Sequence, residues 1–155
     1  MKIYLAADHA GFELKTSIAK ELAAAGHEVV DLGAQVLAPE DDYPEYMLQA
    51  AKAVTSDLGT LAIVFGGSGQ GEAMSANRVD GARAAVFYGP HVAKGAGLSP
   101  DPYTIIKLAR EHNDANILSV GARFVSQDEA IDAINVFIST PFSGDERHVR
   151  RLAQF

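Results

Sequence analysis

The chain contains no cysteine and no tryptophan. Without cysteine there can be no disulfide, no thiolate metal site and no cysteine nucleophile. That fits a reducing compartment, and a cytoplasmic protein is expected. Met1 runs directly into Lys2-Ile3-Tyr4-Leu5-Ala6, which reads as a strand; neither the apolar core nor the small-residue cleavage site of a secretory leader is visible. No apolar run approaches the roughly 20 residues that a membrane span needs. Positive charge is scarce as well, with 13 Lys and Arg against 20 Asp and Glu, a net charge of −7. Such a balance argues against nucleic acid or an anionic membrane as the main partner. An anionic small molecule is still compatible with it, provided basic side chains gather locally.

What is present is ordinary globular material, and 155 residues suffice for one real hydrophobic core. No internal repeat, low-complexity segment or linker interrupts it. Residues 1–155 are therefore expected to form a single domain, with a helical tail at about 140–155. Short apolar runs at 2–6, 28–32, 61–65, 83–87 and 117–120 alternate with helical segments at 12–25, 43–55, from about 72, 103–111 and 128–138. A further helix is expected from Glu146. Phe12, Ile18, Ala19 and Leu22 form the expected buried stripe of the first helix. Strands separated by helices imply βαβ units, hence a Rossmann-like α/β/α sandwich around a parallel five-stranded sheet. Ligands of such sheets bind beyond the carboxyl ends of the strands, and the motifs described next are expected at those ends.

Gly66-Gly67-Ser68-Gly69-Gln70-Gly71-Glu72 follows the third strand and opens a helix. Glycine at four of six consecutive positions lets backbone N–H groups converge on an anion, either a phosphate or a developing oxyanion. A Walker loop would need Lys-Ser/Thr after its last glycine, where this chain has Glu72-Ala73. A dinucleotide fingerprint belongs in the first βα turn, where Ala7-Asp8-His9-Ala10-Gly11 is not glycine-rich. Glu72, in the first helical turn, either complements the helix dipole or serves as a base. Asp8-His9 sits at the end of the first strand, and His112-Asn113-Asp114 precedes the fifth. Arg147, His148, Arg150 and Arg151 form the densest basic cluster. Arg147 and Arg151 share one helix face, and guanidinium groups suit phosphate; a solvated helix end would look the same.

The stretches Ala7–Lys15, Asp42-Tyr43-Pro44, Gly66–Glu72, Ser75-Ala76-Asn77-Arg78, Glu111-His112-Asn113-Asp114, Gly121-Ala122-Arg123 and Arg147–Arg151 occur in order along almost the whole chain. Together they resemble the ribose-5-phosphate isomerase B family and the related galactose- and allose-6-phosphate isomerases. The resemblance implies an aldose–ketose isomerase of a sugar phosphate that works through a cis-enediolate with no metal and no cofactor. It implies a homodimer with shared active sites and leaves open whether dimers pair into tetramers.

One branch of the family takes its base from a cysteine at the end of the third strand, where this chain has Phe65 and Gly66. The other takes it from a glutamate after the glycine loop, which Glu72 matches. By the same resemblance, Ser68, the N–H groups of Gly67, Gly69 and Gly71, and Asn113 stabilise the enediolate. Asp8 and His112 assist ring opening. His9, Arg123, Arg147 and Arg151 hold the phosphate, partly from the other subunit, and Tyr43 and His148 are expected to contact substrate.

The segment 88–103 is about a dozen residues longer than the family pattern, a length that suits either a binding loop or a tolerated surface insertion. It follows the fourth strand and is expected to border the site. Other readings are an isomerase of a four- or six-carbon aldose phosphate and a non-catalytic sugar-phosphate binder.

Overall fold

The computed structural model describes residues 1–95 and 97–154. Ala96, within the long 88–103 segment, and Phe155 lie outside the described residues. Among the described residues the chain forms, in order, β1 (Lys2–Ala7), α1 (Phe12–Ala24), β2 (Glu28–Asp31), α2 (Tyr43–Ser56), β3 (Leu61–Gly66), α3 (Gln70–Ala76), β4 (Ala84–Phe87), α4 (Thr104–Asn113), β5 (Ile117–Gly121), α5 (Gln127–Ser139) and α6 (Glu146–Leu152). None of these helices is long and apolar enough to cross a membrane.

All strand pairs are parallel, and the order across the sheet is β2-β1-β3-β5-β4. Both faces of a parallel sheet are covered by helices, so its central strands read as continuous apolar runs. β1 and β3 obey this rule: Leu61-Ala62-Ile63-Val64-Phe65 is buried throughout. Alternate residues feed two cores. Ile3, Leu5, Ile63, Phe65, Leu118 and Val120 pack with Ile18, Leu22, Ile106, Ile134 and Phe137, under α1, α4 and α5. Tyr4, Ala6, Ala62 and Val64 pack with Met47, Ala50, Ala51, Val54 and Ala76, under α2 and α3. Full burial of each large apolar side chain contributes about 1.5–3 kcal/mol.

The buried stripe of α1 differs from expectation. Ile18 and Leu22 are buried, whereas Phe12 and Ala19 are only partly covered. Lys15 is fully buried between them, paired with Asp31 and donating to the Ala34 carbonyl at 2.9 Å. The ammonium group thereby fastens the loop after β2 to the start of α1. The helix expected to stop at Glu111 continues through His112 and Asn113, so those residues belong to a helix end and not to a free loop.

From β1 the chain steps outward to β2, then crosses back over β1 to reach β3. The segments after β1 and β3 leave toward opposite faces of the sheet, and a crevice opens between them at the carboxyl ends of the strands.

Candidate active site

That crevice is a cleft of about 540 Å³ lined by Asp8, His9, Ala10, Tyr43, Gly67, Ser68, Gly71, Glu72, Arg123 and Phe124. Its floor is the glycine loop. Gly69, at φ 77°, takes the left-handed turn that starts α3, and the Ser119 hydroxyl holds its carbonyl from below at 2.7 Å. At Gly66 a Cβ would overlap the Glu72 carboxylate, so the bare backbone there makes the room in which that carboxylate sits. Tyr43 and Arg123 close the loop from its two sides: a Cβ on Gly71 would meet the Tyr43 hydroxyl at 2.7 Å, and one on Gly67 would meet Arg123 Nη1 at 3.3 Å.

Glu72 is 5% exposed, and its Oε2 has no hydrogen-bond partner among the described residues. Burial raises its pKa above the usual glutamate value, and the nearby charge of Asp8 adds to the rise; backbone N–H groups and Arg123 act the other way. A buried carboxylate of raised basicity, with Oε2 unpaired among the described residues and the glycine loop beside it, is equipped to take a proton from a bound substrate.

Asp8 is buried as well, and its Oδ1 accepts from the N–H groups of Ala10 and Gly11 at 3.0 and 3.3 Å. These bonds tie the carboxylate to the turn that begins α1. His9 is bound through Nδ1 to Asp41 Oδ1 at 2.7 Å, and the same oxygen accepts its backbone N–H at 3.1 Å. Burial alone would raise the Asp41 carboxyl, but the side-chain and backbone bonds from His9 outweigh it and hold the pKa below the ordinary range. Asp8, His9 and Asp41 each bring one donor atom within 4.8 Å of the others, close enough to hold a cation. Asp8 Oδ1, His9 Nδ1 and Asp41 Oδ1 are already taken by hydrogen bonds, while Asp41 Oδ2 is buried with no hydrogen-bond partner among the described residues. Asp41 was not anticipated from the sequence; its position beside Asp42-Tyr43-Pro44 was the available signal.

The remaining expected site residues lie elsewhere, which corrects the expectation that every motif falls at the carboxyl ends of the strands. His112 and Asn113 end α4, which runs against the strands and terminates at the amino edge of the sheet. There Arg83, just before β4, donates to the Asn113 and Asp114 carbonyls at 3.2 and 2.8 Å. Asp114, at φ 44°, terminates α4 and pairs with Arg83 at 2.7 Å and Arg110 at 3.3 Å. α6 packs beside this helix end, with the Ser143 N–H donating to the Glu111 carbonyl at 3.1 Å. His148 is buried against His112, ring centroids 4.2 Å apart, and burial lowers its pKa, with His112 adding to the effect. Arg147 and Arg151 stay exposed. A strand of about six residues spans about 20 Å. His112, Asn113, Arg147, His148 and Arg151 therefore cannot reach the Glu72 cleft of their own chain.

Among the described residues, those of the 88–103 segment do not line the cleft either. It folds over the outer edge of β4 and α4, where Phe87, Val92, Leu98, Ile105 and Leu108 line a separate apolar cavity of about 260 Å³. The His91 N–H donates to the Pro102 carbonyl at 2.9 Å and holds the ends of the segment together.

The chain is similar to known proteins along nearly its whole length. The family model described as Ribose/Galactose Isomerase matches residues 3–155. Ribose-5-phosphate isomerase B of Mycobacterium tuberculosis is 41% identical over 152 residues, 98% of this chain and 86% of the relative. Among solved structures, ribose-5-phosphate isomerase B of Clostridium thermocellum superimposes with a TM-score of 0.85 at 37% identity, covering 99% of this chain and 94% of that one. The Mycoplasma genitalium enzyme, solved with bound ribulose-5-phosphate, gives a TM-score of 0.85 at 34% identity, covering 99% and 92%. A five-stranded parallel sheet, a glycine loop at its carboxyl edge and matching sequence along nearly the entire length agree on one assignment: the chain belongs to the Ribose/Galactose Isomerase family.

Proposed function

We propose that this protein is an aldose–ketose isomerase that interconverts ribose 5-phosphate and ribulose 5-phosphate, with Glu72 as the base. The observation that carries this reading is the buried Glu72 carboxylate, with an unpaired Oε2, lining a cleft floored by the glycine loop. Glu72 removes the proton from C2 of the open-chain aldose. The C2–H electrons form the C1–C2 double bond, the carbonyl electrons move to O1, and a cis-enediolate results. A proton passes from O2 to O1, Glu72 returns its proton to C1, and the C2 carbonyl forms. Charge on the enediolate is met by the N–H groups of Gly67, Gly69 and Gly71, by Ser68 and by Asn113 of the partner subunit. Asp8 and the partner's His112 serve ring opening, and Tyr43 contacts the sugar. His9 and Arg123 hold the phosphate together with Arg147 of the partner subunit and Arg151 of the partner subunit, with His148 of the partner subunit behind them.

The whole chain acts as one domain, in a homodimer with shared sites. The separation of Glu72 from His112 and Asn113 by the height of the sheet supports this, because a two-fold partner set antiparallel would return those residues to the cleft. A cytoplasmic enzyme suits a cysteine-free chain and a phosphorylated substrate.

A panel of four-, five- and six-carbon aldose phosphates, incubated with EDTA present and followed for ketose, tests the assignment. Ribose 5-phosphate is expected to be the best substrate. In D₂O, solvent deuterium should appear at C1 of the ribulose product. Complete retention of the substrate hydrogen, with activity lost in EDTA and restored by a divalent metal, would overturn the mechanism.

A further inference from the structure

We propose that Asp41 is a positioning residue for this reaction: it fixes the His9 imidazole so that Nε2 is presented to the phosphate of the substrate. The inference rests on the reading of His9 as a phosphate-binding group. What it adds is a carboxylate from a different part of the chain that determines how that group acts.

The geometry is specific. Asp41 Oδ1 receives both the His9 backbone N–H, at 3.1 Å, and the ring Nδ1, at 2.7 Å. A single oxygen therefore sets both where the residue starts and how its ring is turned. Nδ1 being engaged, Nε2 is the ring nitrogen left for the cleft, which His9 helps to line. The Asp41 side chain is 9% exposed, so the ring faces a carboxylate largely shielded from water. Carboxylates fix the orientation of functional histidines through the other ring nitrogen in this way.

The carrier of Asp41 is itself held. The loop after β2 is stitched to β1 by Leu32 N–H to the Leu5 carbonyl at 2.7 Å and Ala34 N–H to the Ala7 carbonyl at 2.9 Å. Buried Lys15 grips the same loop through Asp31 and the Ala34 carbonyl. Asp41 thus meets His9 as the end of an anchored segment.

The other charged and titratable groups near the ring are few. Asp8 Oδ2 stands 3.9 Å from Nδ1, and Tyr46 lies beside Asp41. Across the cleft are Tyr43, Glu72 and Arg123. Of the two carboxylates beside Nδ1, Asp41 makes the hydrogen bond. With the Nδ1 proton directed at Asp41, a second proton arriving on Nε2 when phosphate binds makes the ring a donor to that phosphate, with the Asp41 carboxylate behind it.

The test uses the full-length enzyme with Asp41→Asn, Asp41→Ala and His9→Ala. Asp41→Asn keeps an oxygen for both His9 N–H groups and removes the charge; Asp41→Ala removes both. Inorganic phosphate is the probe. Asp41→Ala should raise KM for the sugar phosphate and Ki for phosphate about tenfold or more, with kcat within a few-fold of wild type. Asp41→Asn should show a smaller rise of the same kind. In ¹⁵N spectra the His9 ring should carry its proton on Nδ1 in the wild type and lose that preference in Asp41→Ala. A merely structural Asp41 would instead lower Tm and reduce kcat without separating it from KM. The proposal is overturned if Asp41→Ala leaves the ring's proton on Nδ1, or leaves phosphate inhibition within two-fold of wild type while His9→Ala abolishes it. If His9→Ala itself leaves phosphate inhibition unchanged, the phosphate role of His9 is overturned and this proposal with it, whatever the ring's orientation.

Discussion

The carboxylate of Glu72 fills the volume that a side chain at position 66 would require. An ideal Cβ on Gly66 overlaps Oε1, Cδ and Cγ of Glu72. Gly66→Ala should therefore expel the base without touching it chemically. Overpacking of this kind costs about 1–3 kcal/mol, and loss of a positioned base costs about 10²- to 10⁴-fold in rate. Folded protein with kcat reduced at least about 100-fold is expected. Activity close to wild type would mean that Glu72 works from another position.

Glu72→Gln should remove isomerisation while leaving phosphate inhibition nearly unchanged, a loss in kcat and not in binding. Its pH signature is also specific. The folded carboxyl titrates above its ordinary value of 4.5, because burial disfavours the anion. The contribution of Glu72 to stability should accordingly be fully present below that value and be lost as pH rises through the folded pKa, since the folded state retains the proton longer. The Gln variant should lack that loss, measured by urea unfolding at pH 4.5 and 7.5. The acid limb of kcat/KM should fall above the ordinary glutamate range. A limb at or below about 4.3 would contradict the buried-base reading.

Arg147→Ala and Arg151→Ala should each raise KM and weaken phosphate inhibition. Both side chains are exposed, and neither supports a core. Unfolding free energies within about 0.5 kcal/mol of wild type are expected. Unchanged phosphate inhibition in both variants would reduce α6 to a solvated basic helix.

Much of this architecture can be read from residue patterns, and the omissions have physical causes. The strands announce themselves because a parallel sheet is buried on both faces, leaving runs such as Leu61–Phe65 without a polar break. The glycine loop and Glu72 are contiguous, so their chemistry is visible in one window. Strand order is not local: that β5 enters between β3 and β4 depends on packing that no single segment records. Lys15 reads as a solvated helix residue until Asp31 and the Ala34 carbonyl come to meet it. The His9–Asp41 bond joins positions that only the return of the chain after β2 brings together. His112 and Asn113 belong to a recognisable motif, yet the direction of α4 decides at which edge of the sheet they stand.

Lys15 offers a separate test of stability. Lys15→Ala should cost about 3 kcal/mol or more, since it removes a buried cation from its partners and leaves a cavity. Lys15→Met, which fills the same volume without charge, should cost markedly less. Equal losses in chemical denaturation would show that the ion pair, and not the filled space, stabilises the loop after β2.

The placement of Glu72 and the α4–α6 residues at opposite edges of the sheet has a consequence in genetics as much as in chemistry. If each reaction centre is assembled from two chains, defects in its two halves belong to different complementation groups. A chain carrying Glu72→Gln still offers its helices to a neighbour, and a chain carrying Arg147→Ala with Arg151→Ala still offers its base. The first is inactive alone, and the second is nearly so at substrate concentrations far below its raised KM. Unfolded and refolded together in equal amounts, they should form hybrid dimers in which one centre receives both mutations and the other receives none. Random pairing makes half the dimers hybrid, so about a quarter of wild-type activity should return. Two loss-of-function alleles of this single gene would then rescue each other in one cell.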